Sequence, residues 1–110
     1  MGTAKTTMTK SEHMARYEAL LGVVIRTARF YRSMDAEVLA EACGVGPETV
    51  ARWERGETTV PSSALAVIYA TLTLPADLLL SPPGSRPETL ARIAAYDVHR
   101  QRTGGPPAAP

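Results

Sequence analysis

The side chains best equipped for covalent or metal chemistry are scarce in this sequence. There is one cysteine, Cys43, and two histidines, His13 and His99, far apart along 110 residues. A single cysteine excludes an internal disulfide and a cysteine-based zinc site. The histidines lack the spacing of a metal motif. Serines and carboxylates are present, but no glycine-rich phosphate loop or nucleophile motif accompanies them. No catalysis, cofactor, metal or small-molecule ligand is therefore expected. What remains is ionic chemistry, and its distribution is uneven. Residues 1–34 carry six Lys/Arg against two Glu, and residues 35–60 carry two Arg against six acids. Residues 61–80 carry only Asp77, and residues 81–110 carry four Arg against two acids, for a net charge of +1. A surface for a polyanion must draw on the N-terminal third or the C-terminal segment, since overall charge supplies none in the middle.

These charges have to be positioned by helices. The chain suffices for one small domain with a modest core. Its hydrophobic content is 45% and its aromatic content only 5%, with Ala and Leu dominant, which favours helix over sheet. No apolar run is long enough to span a membrane, and the N-terminus lacks the apolar stretch of a signal peptide. A cytoplasmic protein with no membrane association is expected. Residues 1–10 lack periodicity and read as a flexible arm. Ser11 can cap a first helix whose apolar stripe runs Met14, Tyr17, Leu21, Val24, Ile25 and Ala28 to about Tyr31, with Arg16, Arg26, Arg29 and Arg32 on the other face. Asp35 can cap a short second helix with Val38, Leu39 and Ala42 inward and Glu37 and Glu41 outward.

Gly44 supplies a left-handed stop, and Pro47 opens a third helix that ends at Gly56. Pro61 opens a fourth, almost wholly apolar helix, and Pro75 a short fifth one. Residues 81–87 read as a linker, 88–102 as a further helix and 103–110 as a disordered tail. The two short helices between Asp35 and Gly56, joined by a tight turn, have helix-turn-helix spacing. Ala40 is small enough for the helix crossing, Gly44 tolerates positive φ, and Val50 can pack back on the second helix.

Leu21-Gly22, Ile25-Arg26 and Arg29, Leu39-Ala40, Gly44-Val45, Thr49-Val50, Trp53-Glu54, Arg55-Gly56 and Pro61 together resemble the XRE, or phage repressor/Cro-type, helix-turn-helix family. The match runs without a gap from Leu21 to Leu80. It implies an all-α, five-helix domain over residues 11–80, here with an extra C-terminal helix, that binds double-stranded DNA. It also implies that Pro47, Glu48, Thr49 and Arg52 face the major groove. Arg52 can bond guanine O6 and N7 together, Glu48 can accept from a cytosine amine, and Thr49 suits a phosphate or a thymine methyl. Arg55, Thr58, Thr59, Arg26 and Lys10 are the phosphate candidates. Arg29 and Glu54 correspond to an internal ion pair of the family, and the spacing of Trp53 from Val50 points it inward as a core residue. The sequence departs from the pattern at Ala36, where the family often has Gln, and at Gly46, where Ser or Thr usually caps the recognition helix.

Other uses of these residues stay open. Arg52 can pair with Glu48 as a solvated surface pair. Cys43 suits a small buried apolar position. The stripe of Leu90, Ile93 and Ala94 must be buried on its own domain or against a second copy, so a homodimer through residues 88–102 is expected, or else Arg92, Arg100 and Arg102 lie near phosphate. The leading function is a transcriptional regulator, a repressor acting by promoter occlusion. The alternatives are an antitoxin-type protein or a protein-interaction module.

Overall fold

The computed structural model describes residues 8–103 and builds them from six helices with no strand among them. These are α1 (Lys10–Tyr31), α2 (Ala36–Cys43), α3 (Pro47–Glu54), α4 (Ser62–Leu72), α5 (Asp77–Leu80) and α6 (Arg86–Arg102). No described helix is long and apolar enough to cross a membrane. The arm expected at residues 1–7 and the tail expected at 104–110 lie outside the described residues.

The first helix begins at Lys10 rather than after Ser11, because Thr9 is the better cap. Its hydroxyl accepts from the Glu12 N–H at 3.1 Å, and its own N–H donates to the Glu12 carboxylate at 2.8 Å. Only from Thr9 does a glutamate fall at the third helical position and close this reciprocal box. Leu21, Val24, Ile25 and Ala28 are buried along α1, whereas Met14, expected inward, is exposed. Gly22 marks the closest approach of α1 and α3. A Cβ there would lie 2.5 Å from the Glu54 carbonyl oxygen and 2.7 Å from that of Trp53.

Helix α2 packs on α3 and α4. It ends at Gly44, whose φ of 73° is left-handed, and the Val45 N–H closes the turn onto the Ala40 carbonyl at 3.0 Å. Leu39, Ala40, Val50 and Trp53 fill the junction. Val38 and Ala42 do not face inward as expected; both are exposed, Val38 by 51%. An eight-residue helix buries only a narrow stripe, here Leu39, Ala40 and the half-buried Cys43. Ile68 and Leu72 carry α4 into the core, and Leu78 does so for α5.

Helix α6 belongs to the same core. It starts two residues earlier than expected, capped by the Ser85 hydroxyl, which accepts from the Glu88 N–H, with Pro87 preset for the first turn. It packs along α1 and buries Ile93 and Thr89 completely. Of the stripe expected to meet a second copy, Ile93 is buried within the chain's own core, while Leu90 and Ala94 stay half-buried. Arg32, expected on the outer face of α1, fixes this packing. Its guanidinium donates to both Asp97 oxygens at 2.7 and 2.9 Å and to the carbonyls of Leu72 and Thr73, both at 2.8 Å. One side chain therefore ties the ends of α1 and α4 to α6.

Candidate nucleic-acid interface

Helix α3 is pinned from inside by Val50 and Trp53, which are 0% and 3% exposed. The helical period then turns Glu48 and Arg52 outward, with Pro47 exposed at the start and Thr49 half-buried. Glu48 and Arg52 form no ion pair with each other, so the solvated-pair alternative is not realised, and both head groups are available. Gly46 occupies the cap position and supplies no side-chain acceptor. Pro47 has no N–H and the Thr49 N–H bonds the Gly46 carbonyl at 3.0 Å, so within the first turn of α3 only the Glu48 N–H stays open at the positive end.

The other end of α3 is fixed by Arg29 and Glu54. Their side chains meet in a two-point fork, Nε to Oε2 at 2.7 Å and the second amine to Oε1 at 3.1 Å. Arg29 also donates to the Met34 carbonyl at 3.1 Å. Exposure is 12% for Arg29 and 4% for Glu54, so the pair is an internal brace between α1, the segment before α2 and α3. The hydrogen bond to Glu54 raises the guanidinium pKa further, against a smaller opposing effect of burial.

The phosphate candidates divide. Arg55 is exposed but turned onto Glu57, with bonds of 2.7 and 3.1 Å, and this contact holds the Glu57 carboxyl below its ordinary range. The Thr59 hydroxyl donates to Glu18 on α1. Thr58 is exposed and makes no such bond. Lys10 heads α1, whose first turns border Thr59 across a groove lined by His13, Met14 and Tyr17. Arg26 stands apart from Pro47–Arg52, lining a different groove with Glu54 and Arg86. On α6, Arg92 pairs with Glu88 and Asp77, and Arg100 with Asp97.

Two residues escape the sequence reading. Ser62 and Ser63 are exposed in the first turn of α4, behind Pro61, and that helix too has no side-chain cap. The signal was a proline followed by two hydroxyl residues before an apolar run. Cys43 is half-buried against the core, and burial pushes its thiol pKa up, away from thiolate chemistry. The described residues hold no group of three side chains suited to a metal.

The surface around α3 is not basic. Glu37, Glu41 and Glu48 are exposed and unpaired among the described residues, against Arg52 and the already engaged Arg55. Residues 20–80 match the family model of a helix-turn-helix domain, which belongs to the XRE-like group. No curated protein and no solved structure matches the chain.

Proposed function

The chain belongs to the helix-turn-helix domain family, and from that premise we propose that it is a sequence-specific DNA-binding repressor that acts by occluding a promoter. The observation that carries this reading is the state of α3. It is held at one end by the Arg29–Glu54 brace and along its length by Val50 and Trp53, yet Glu48 and Arg52 leave it unpaired. A rigid helix with a free carboxylate and a free guanidinium one turn apart suits a C·G or G·C pair in the major groove. Thr49 supplies a methyl or hydroxyl contact. The uncapped starts of α3 and α4, with Thr58, Ser62 and Ser63, suit phosphate.

The exposed glutamates repel a polyanion, so non-specific affinity is low and base contacts carry a larger share of binding. Selection of duplexes from a random library by the purified protein at low salt tests this. Enrichment of a motif containing a conserved guanine is expected; a pool that stays random would overturn the proposal.

A second reading, a protein-interaction module, is favoured by one observation. The outer face of α2 presents Val38 beside Glu37 and Glu41, an apolar and acidic surface unsuited to DNA. An absence of retardation of both random and genomic duplexes at low salt, with no selected motif, would favour it.

A further inference from the structure

An open groove of about 620 Å³ runs between α1, the C-terminal end of α3 and the start of α6. Val23 and Phe30 form its apolar wall, and Arg26 and Arg86 stand at its rim. Phe30 is 53% exposed, an unusual position for a large aromatic ring that the domain's own core does not need. Arg26 lies 5.4 Å from the ring centroid and Arg29 4.7 Å. Arg29 is committed to Glu54, but Arg26 and Arg86 have no carboxylate partner among the described residues. Glu54 also lines the groove but is spent on Arg29, so the groove is an aromatic platform with two guanidiniums unpaired among the described residues at its rim. Aromatic rings and arginines are the residue types that dominate binding energy in protein interfaces.

The same chain carries the reciprocal surface on another element. On α2, Val38 is 51% exposed, and Glu37 and Glu41 lie one turn apart beside it with no cationic partner among the described residues. An apolar knob flanked on one side by two carboxylates complements an apolar wall with two guanidiniums at its rim in both shape class and charge. We propose that the groove receives helix α2 of a second copy of this chain, joining protomers head to tail. The contact differs from a two-fold dimer. Each copy offers a groove to one neighbour and a knob to another, so association continues until a ring closes or the chain of copies ends. One helix in one groove is a small interface, so the association is weak, and its charged rim makes it sensitive to salt. It stands whether or not the protein binds DNA.

Sedimentation of the purified full chain over rising concentration tests it. Average mass is expected to climb with concentration at low salt and to fall towards the monomer at about 1 M salt, where the screening length is near 3 Å. The double variants Arg26→Glu/Arg86→Glu and Glu37→Arg/Glu41→Arg are each expected to weaken association at least tenfold, about 1.4 kcal/mol. The quadruple variant, with the charges exchanged, regains it. Phe30→Ser changes no charge and is expected to dissociate the copies as well, which separates this contact from an effect of net charge. All five positions are exposed, and matching thermal melts confirm that the variants fold. A wild-type chain that stays monomeric at every concentration overturns the proposal. So does association that survives either double variant or Phe30→Ser, or a quadruple variant that fails to regain it.

Discussion

Arg29 and Arg32 at the end of α1, and Arg52 on α3, are the same residue type in opposite circumstances. Arg29 and Arg32 are each forked onto a carboxylate and bonded in addition to backbone carbonyls. Arg52 is exposed and makes no side-chain hydrogen bond or ion pair among the described residues, though its charge is felt by Glu57. The first two residues have their forks engaged by the fold, so their value is structural: removing Arg29 leaves Glu54 without compensation, and removing Arg32 leaves Asp97 only its longer contact with Arg100 at 3.4 Å. The third adds nothing to the fold, so its unsatisfied fork is free for a ligand. Exposure and unmet hydrogen bonding, rather than positive charge, separate an arginine that builds the domain from one left available to a ligand.

The sharpest way to break this comparison is to delete a structural member. Arg29→Ala strands Glu54, whose side chain is only 4% exposed. A buried charge without its partner costs about 3–5 kcal/mol. Glu54→Ala is expected to lose a similar amount, and the double variant less than the sum, because the second deletion removes the charge that the first left stranded. Urea unfolding of the three variants checks this. Additive losses would show that the fork is not formed in solution.

The second structural arginine has a pH signature. Arg32 holds the Asp97 carboxyl below its ordinary value near 3.8, chiefly by hydrogen bonding, against an opposing effect of burial and with further help from Arg100. A carboxylate with a depressed folded pKa contributes stability that is fully present above its unfolded pKa and is lost as pH falls through the folded value. Asp97→Asn is expected to destabilise the protein at neutral pH by about 1.5–3 kcal/mol, the range for a hydrogen bond to a charged group. The gap between wild type and variant should hold above the carboxylate range and shrink as pH falls below about 3.8. A gap that does not change on acidification would remove Asp97 from the clamp.

How far the sequence exposes these roles depends on distance along the chain. The turn at Gly44 and the core positions Leu39, Ala40, Val50 and Trp53 follow from local spacing, because a helix period and one left-handed residue are local properties. Arg29 and Glu54 are linked by family resemblance alone, since no period joins residues 25 apart. The Arg32–Asp97 clamp spans 65 residues and leaves no local trace. In the sequence Asp97 looks like an interruption of an apolar stripe, and α6 like an appendage to a finished domain. Val38 misleads for a different reason: a short helix contains too little of the period to separate its buried face from its flank.

Arg52→Ala is the complement of the structural deletions. Exposed and unpaired, it should change stability by less than about 0.5 kcal/mol. On a selected duplex it should cost roughly 1–3 kcal/mol of discrimination and relax preference at one base pair. Competition between the selected site and single-base variants is the measurement. Unchanged selectivity would place base reading elsewhere on α3, with Glu48 and Thr49 the next residues to substitute.

The smallest expected effect separates charge from availability most directly. Arg55 lies just after α3 and is exposed like Arg52, but its fork is already engaged by Glu57. On the principle drawn from Arg29, Arg32 and Arg52, Arg55→Ala should remove no phosphate contact; it leaves the exposed Glu57 carboxylate unpaired, which should lower DNA affinity only slightly. Glu57→Ala should do the opposite. It releases Arg55 and removes a carboxylate from the surface, so affinity for any duplex should rise. Each additional phosphate contact steepens the dependence of log affinity on log salt by about 0.9. Titrations of wild type and both variants across a salt series give the two slopes. A Glu57→Ala slope equal to wild type would mean that Arg55 does not face phosphate even when freed. A large loss in Arg55→Ala would mean that DNA already draws Arg55 away from Glu57, so that an exposed ion pair of this kind yields to a polyanion and does not count as an engaged charge.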